Sequence, residues 1–155
     1  MIAVLQRIKS ATVYADKVLS GSVGGGLYIL LGVKDGDTEA DSIALAEKIS
    51  KLRIFCDEND KMNLSVMDVG GEALVVSNFT LNANYSHGNR PDYFASACPD
   101  EANRLYEHFV GQLRGKISKV ETGVFGADME TQMVTDGPVT IVMDSGVLLA
   151  GKKKQ

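Results

Sequence analysis

The chain is poor in thiols: Cys56 and Cys98 are its two cysteines, far apart and without Cys-x-x-Cys spacing. That excludes a disulfide framework and a zinc knuckle, and it fits a reducing compartment. Neither cysteine has an evident His partner, so both read as buried or incidental thiols. No apolar run approaches the ~18 residues of a membrane span. The first residues alternate like a strand instead of pairing a basic stretch with an apolar one. A soluble, cytoplasmic protein with no membrane contact is expected, and its three Asn-x-Ser/Thr triplets are then chance.

Positive charge is also in short supply. Sixteen Lys and Arg stand against twenty Asp and Glu, for a formal charge of −4. A long footprint built on phosphate neutralisation is therefore not expected, which argues against DNA as a partner, while a small contact such as an RNA end stays compatible. Histidine, the usual side-chain base near neutral pH, occurs twice. His108 lies between Leu105 and Phe109 at helical spacing and reads as a helix-face residue, and His87 sits in a polar loop. There is no G-x-S-x-G elbow. Gly24-Gly25-Gly26 fits neither phosphate-loop pattern and reads as a turn. Asp57-Glu58-Asn59-Asp60-Lys61 lacks the Gly and terminal Glu of a calcium loop and reads as a solvated turn. Carboxylates such as Asp57, Asp60 and Asp68 stand singly, so no metal site and no cofactor are expected.

What is present is ordinary globular material: 155 residues, 45% hydrophobic and 23% charged, enough for one domain with one core. A hairpin is expected from Ala11–Tyr14 and Val18–Ser22 around Ala15-Asp16-Lys17, followed by a central strand at Leu27–Val33. Thr38 with Asp41 gives a capping signature for a helix running to about Leu52. Ala73–Val76 reads as a buried strand leading into polar residues. From Pro99-Asp100, the spacing of Ala102, Leu105, Phe109 and Leu113 predicts a second amphipathic helix. Val120–Thr122, Met129–Val134 and Val139–Asp144 follow as strands, the last two separated by a turn at Thr135–Pro138. Lys152-Lys153-Lys154 belongs to a solvated basic tail over about 150–155. The class is α+β: a mixed β-sheet in barrel-like layers with two main helices.

Side-chain acid/base catalysis is thus not the obvious strategy, and what remains is backbone and hydroxyl chemistry at two strand ends, Ser77–Leu81 and Thr135–Thr140. There Gly137 permits close approach, while Pro138 fixes its own φ and restricts its neighbour, and composition alone favours an ordinary trans turn. These two segments carry a resemblance. Ser77-Asn78-Phe79-Thr80-Leu81 is similar to the Ser-Gln-Phe-Thr-Leu motif of the D-aminoacyl-tRNA deacylases, and Thr135-Asp136-Gly137-Pro138-Val139-Thr140 to their Asn-x-Gly-Pro-Val-Thr motif. Val4–Arg7, Gly36–Asp41, Leu52–Phe55, Lys61–Ser65 and Phe125–Met129 extend the resemblance over nearly the whole chain.

The resemblance implies the deacylase fold and a homodimer that hydrolyses the ester joining a D-amino acid, or glycine, to the 3′-terminal adenosine of tRNA. It implies a cis Gly137-Pro138 peptide entering the partner subunit's site to exclude an L side chain, with Arg7 helping to hold that segment in place across the dimer. It also implies that backbone N–H groups around Phe79 and Thr80 face the oxyanion while the terminal 2′-hydroxyl assists water, with Ser77 and Asn78 beside the substrate. Thr80 is open to two readings, a positioning residue or a nucleophile. Phe125 and Met129 match adenosine-pocket positions, against the alternative of plain core residues. An aminoacyl ester is already reactive: positioning contributes up to ~7 to 11 kcal/mol and an oxyanion donor ~2.7 to 4 kcal/mol, so no His base is required.

Three departures stand out. Asn78 replaces Gln, Thr135 replaces Asn, and Ser86-His87 occupy a stretch that is often basic in the family, for which weaker tRNA affinity with a shallower salt dependence is expected. The rival from another class is a non-catalytic module that binds a tRNA or RNA 3′ end.

Overall fold

The computed structural model describes residues 1–152, so of the basic tail expected over about 150–155 only the part from residue 153 lies outside the described residues, while 150–152 are helical. The chain opens with β1 (Ile2–Ala15), β2 (Val18–Val23) and β3 (Gly26–Gly32). Asp16 and Lys17, at φ 49° and 68°, make the two-residue turn between Ala15 and Val18. Two left-handed centres match the twist of the flanking strands. β2 and β3 pair antiparallel with successive halves of β1, Ala11–Ala15 and Ile2–Ile8. The chain bends between them at Gly24-Gly25. Gly26, at φ 156°, passes so close to Glu72 that a Cβ would collide with the Glu72 backbone. That collision fixes the residue type there.

The helix α1 (Glu39–Ser50) starts where the sequence places it. The Asp41 carboxylate accepts from the Thr38 N–H at 2.9 Å and the Thr38 hydroxyl at 3.0 Å. A small hairpin, β4 (Phe55–Cys56) and β5 (Met62–Leu64), flanks the turn in which Asp57 accepts the Asn59 and Lys61 N–H groups. β6 (Glu72–Ser77) pairs parallel with β3 and then with β7 (Val120–Thr122), while α2 (Pro99–Arg114) lies between them in sequence. β8 (Met129–Asp144) runs antiparallel along all of β1, and α3 (Ser145–Lys152) follows.

The order β2-β1-β3-β6-β7 curls until its ends meet. There the Ser20 hydroxyl donates to the Thr122 carbonyl at 2.9 Å, and Gly21 lets the backbones approach closely. The result is a mixed, nearly closed, barrel-like sheet, as the α+β reading expects. Ile8, Ala11, Val13, Tyr28, Leu74 and Val76 fill its inside. On the other face Leu5, Leu27, Ile29 and Leu31 pack against Leu45 and Ile49 of α1 and Leu105, Phe109 and Leu113 of α2. β3 is buried on both faces, which is why its sequence reads as a continuous apolar run.

Two features differ from the sequence reading. The expected turn at Thr135–Pro138 is not a strand break: β8 is continuous and bulges there. Residues 145–152 form a third helix, with the Gly146 N–H donating to the Asp144 carboxylate at 2.9 Å. Both cysteines are exposed and free, which leaves the incidental of the two readings. No helix among the described residues is long and apolar enough to cross a membrane.

Candidate active site

β6 ends at Ser77, and the next residues form a short 3-10 turn, Phe79–Asn82. The turn starts there because Asn78 caps it: its side-chain oxygen accepts both the N–H, at 3.1 Å, and the hydroxyl of Thr80. An Asn reaches two residues ahead in this way by making an Asx turn. The Asn78 N–H donates to the Leu31 carbonyl at 2.8 Å, and the Asn78 carbonyl accepts the Leu81 N–H at 3.4 Å. The Phe79 N–H is left with no acceptor among the described residues. Of the two backbone donors implied by the resemblance, Phe79 is free and Thr80 is engaged.

A cleft of about 220 Å³ opens beside this turn. Ser77, Asn78 and Phe79 form one rim, Phe125 and Met129 another, with Leu31 and Val33 behind them. Tyr106 closes the back: its hydroxyl donates to the Val75 carbonyl at 2.9 Å, and its ring lies 6.1 Å from that of Phe125. Burial pushes the Tyr106 phenol well above the usual range, so it stays a neutral donor. It is the one titratable side chain among the lining residues. The cleft is thus an apolar slot with backbone and hydroxyl groups at its mouth. Such a surface suits a flat base and a small ester, and it offers no side-chain proton shuttle.

The remaining site residues lie elsewhere. Thr80 is exposed and does not line the cleft. Arg7, Gly137 and Pro138 sit on the β1–β8 pair. Between the pairs Gln6–Thr140 and Ile8–Thr135, four residues of β8 face the single residue Arg7. The surplus is Asp136 to Val139, and it contains the Gly137-Pro138 peptide, which is cis, with Gly137 at φ 145°. Gly137 and Pro138 are exposed. The Arg7 Nε lies 3.1 Å from both the carbonyl and the carboxylate of Asp136, and its Nη1 donates to the Ile54 carbonyl at 2.6 Å. Thr135, in place of the family's Asn, pairs with Ile8.

His108 bridges α2 to α1, with Nδ1 2.5 Å from the Ser42 hydroxyl, and Ser42 is fully buried. That is a helix-to-helix contact, as the sequence suggests for a helix-face residue. His87 is exposed in its loop.

Tyr106, Ser96 and Asn82 escape the sequence reading. Tyr106 follows Ala102 by four residues, so the helical spacing carried a signal for it. Asn82 is buried, and its amide donates to the Val33 carbonyl at 2.9 Å and to Ser96 at 3.3 Å. Nothing in the motif marks it.

A nearly closed, barrel-like mixed sheet with helices packed on it and an apolar slot beside one strand end defines the class as a small α+β protein. Within it, the chain belongs to the D-Tyr-tRNA(Tyr) deacylase family, whose model matches residues 4–144. A D-aminoacyl-tRNA deacylase of Koribacter versatilis (strain Ellin345) is 52% identical over 145 residues, 94% of this chain and 97% of that protein. A solved structure described as a c-Myc DNA Unwinding Element Binding Protein superposes with a TM-score of 0.87 at 37% identity, over 93% of this chain and 98% of that one. One described as a probable eukaryotic D-amino acid tRNA deacylase shares the fold at 16% identity, with a TM-score of 0.79 over 92% and 97% of the two chains.

Proposed function

We propose that this protein is a D-aminoacyl-tRNA deacylase that hydrolyses the ester between a D-amino acid, or glycine, and the 3′-terminal adenosine of tRNA, in the cytoplasm and as a homodimer. The observation that carries the reading is the unengaged Phe79 N–H at the mouth of a slot that lacks a side-chain base. Adenine fits between Phe125 and Met129, and the ester carbonyl meets the Phe79 N–H. Water adds to that carbonyl, the oxyanion is held by the N–H, and collapse breaks the bond to the ribose oxygen, which leaves protonated. The 2′-hydroxyl of the same ribose positions the water.

The partner's Gly137-Pro138 segment would complete the site and exclude an L side chain, a form of selection by clash. Two observations support this. The segment is exposed and stands clear of its own cleft. Within the sheet β8 pairs with β1 alone, which leaves a sixteen-residue edge strand with exposed Val134 and Val142. Long exposed edges are normally covered. Glycine carries no side chain to reject and is expected to be a substrate.

The test compares hydrolysis of D-Tyr-tRNA, L-Tyr-tRNA and Gly-tRNA over a range of protein concentrations, with a metal chelator in parallel. Loss of the D and glycyl esters with the L ester spared supports the reading. Intact D-Tyr-tRNA at stoichiometric protein overturns it in favour of an RNA-end binder.

A further inference from the structure

Residues 93–96 form a tight turn closed by the Ser96 N–H donating to the Tyr93 carbonyl at 3.0 Å. Both ends of this turn hold Phe79. The Tyr93 ring meets the Phe79 ring edge-on, with centroids 5.1 Å apart at 77°, and the Ser96 hydroxyl donates to the Phe79 carbonyl at 3.3 Å. The flank is pinned as well: the Asp35 N–H donates to the Ala95 carbonyl at 2.9 Å and the Ala97 N–H to the Val33 carbonyl at 3.1 Å. The turn is therefore rigidly attached to the cleft mouth. At its second position it presents Phe94, which at 91% exposure is the most exposed large apolar side chain among the described residues.

A turn position has no packing demand for phenylalanine, and polar residues or proline are the usual occupants. A ring held out on a rigid turn, one Cα step of 3.8 Å from the residue that packs on Phe79, is instead a surface for a flat partner. Four residues before it, the exposed Arg90 takes part in no ion pair among the described residues. An exposed aromatic face and an unpaired cation, here four residues apart in the chain, are what proteins use to hold unpaired nucleotides, stacking the base and neutralising its phosphate without reading sequence.

We infer that Phe94 is a stacking face for the nucleotide immediately 5′ of the terminal adenosine, with Arg90 facing the phosphate that follows it. The inference rests on the deacylase reading for the adenosine's place in the cleft. It extends the contact from one nucleotide to two and gives this acidic protein a grip on the RNA end that does not depend on a basic surface.

The chain has no tryptophan, so Phe94→Trp supplies both a conservative variant and a single fluorophore. Binding of the trinucleotide CpCpA is compared with that of adenosine 5′-monophosphate for the wild type, Phe94→Ala, Phe94→Trp and Arg90→Ala. Phe94→Ala is expected to weaken CpCpA binding about 5- to 100-fold, following the typical worth of one stacked base, and to leave the mononucleotide unchanged. Phe94→Trp is expected to restore affinity, with emission quenched by CpCpA and not by the mononucleotide. Arg90→Ala should lower the salt slope of CpCpA binding by about one.

Equal losses for both ligands, or no loss for CpCpA, would overturn the assignment, as would failure of the wild type to bind CpCpA more tightly than the mononucleotide. These binding results stand whether or not D-aminoacyl esters are cleaved. A chain that stacks CpCpA on Phe94 yet spares every ester refutes the deacylase reading alone.

Discussion

Arg7 holds Asp136 twice, its Nε 3.1 Å from both the carbonyl and the carboxylate, at the one place where β8 has more residues than β1 can pair. A bulge without ladder bonds needs another anchor, and the guanidinium supplies it while its other arm binds the Ile54 carbonyl. Arg7→Ala removes these charge-assisted bonds from a mostly buried site, a loss of about 1.5 to 3 kcal/mol. At this chain length that lowers Tm by roughly 3 to 12 °C. Selectivity should suffer more than stability. The ratio of D-Tyr-tRNA to L-Tyr-tRNA cleavage is expected to fall for Arg7→Lys too, since an ammonium cannot fork towards Asp136 and Ile54 together. A lysine variant with wild-type selectivity would disconnect Arg7 from the Gly137-Pro138 segment.

The Phe79 N–H can be deleted without touching any charged group. Phe79→Pro removes it, and the extended Asn78 before it, at φ −148° and ψ 94°, is a backbone that tolerates a following proline. Phe79→Ala removes the ring and keeps the N–H. If that donor meets the oxyanion, the proline variant should lose about 100- to 1000-fold in kcat relative to the alanine variant. Equal rates in the two would assign the oxyanion to another group.

Much of this arrangement was legible in the sequence because local chemistry and burial agree there. The Thr38–Asp41 pair starts α1 as expected, and β3 reads as buried because both its faces are. The third helix was not legible: Gly146 and Gly151 mask its short apolar spacing, and the Asp144 cap that starts it is also the last residue of a strand. The bulge at Asp136–Val139 reads as a turn in the sequence because Gly-Pro usually marks one. Only pairing with β1 along its whole length shows that the strand continues, and that is long-range information. The same holds for the cleft. Ser77 to Phe79 and Phe125 to Met129 could be marked by motif, whereas Asn82 and Ser96, which tie the walls together, act through contacts that no spacing encodes.

Acid should loosen the contacts that α1 makes through Glu47. Its carboxylate bonds Lys116 at 2.6 Å and also pairs with Lys51, and these hydrogen bonds, Lys116 first, lower its pKa from 4.5 to about 2. A depressed carboxylate pKa stabilises the fold above the unfolded value and loses that contribution as pH falls towards the folded one. Glu47→Gln should therefore melt below the wild type at pH 6, with the two melting curves converging between pH 4.5 and pH 2. A gap in Tm that stays constant over that range would show that the ion pairs add nothing.

Thr80 sits where a nucleophile would be looked for, at the end of the motif, yet its surroundings argue against that role. Its hydroxyl donates to the Asn78 side-chain oxygen, so it has no base to take its proton, and an unactivated threonine hydroxyl is a weak nucleophile. It is also exposed and absent from the cleft lining. What it does is steady the Asn78 cap, whose loss is worth about 0.5 to 2 kcal/mol and would let the Phe79 N–H drift from its direction. Thr80→Ala should then lower kcat no more than about tenfold, and Asn78→Ala, which frees both Thr80 groups, should lower it at least as far. The double variant should resemble Asn78→Ala alone, because both changes break the same link. Abolished turnover in Thr80→Ala with folding and adenosine binding intact, or an ester-linked intermediate trapped on Thr80 during turnover, would instead make Thr80 the nucleophile.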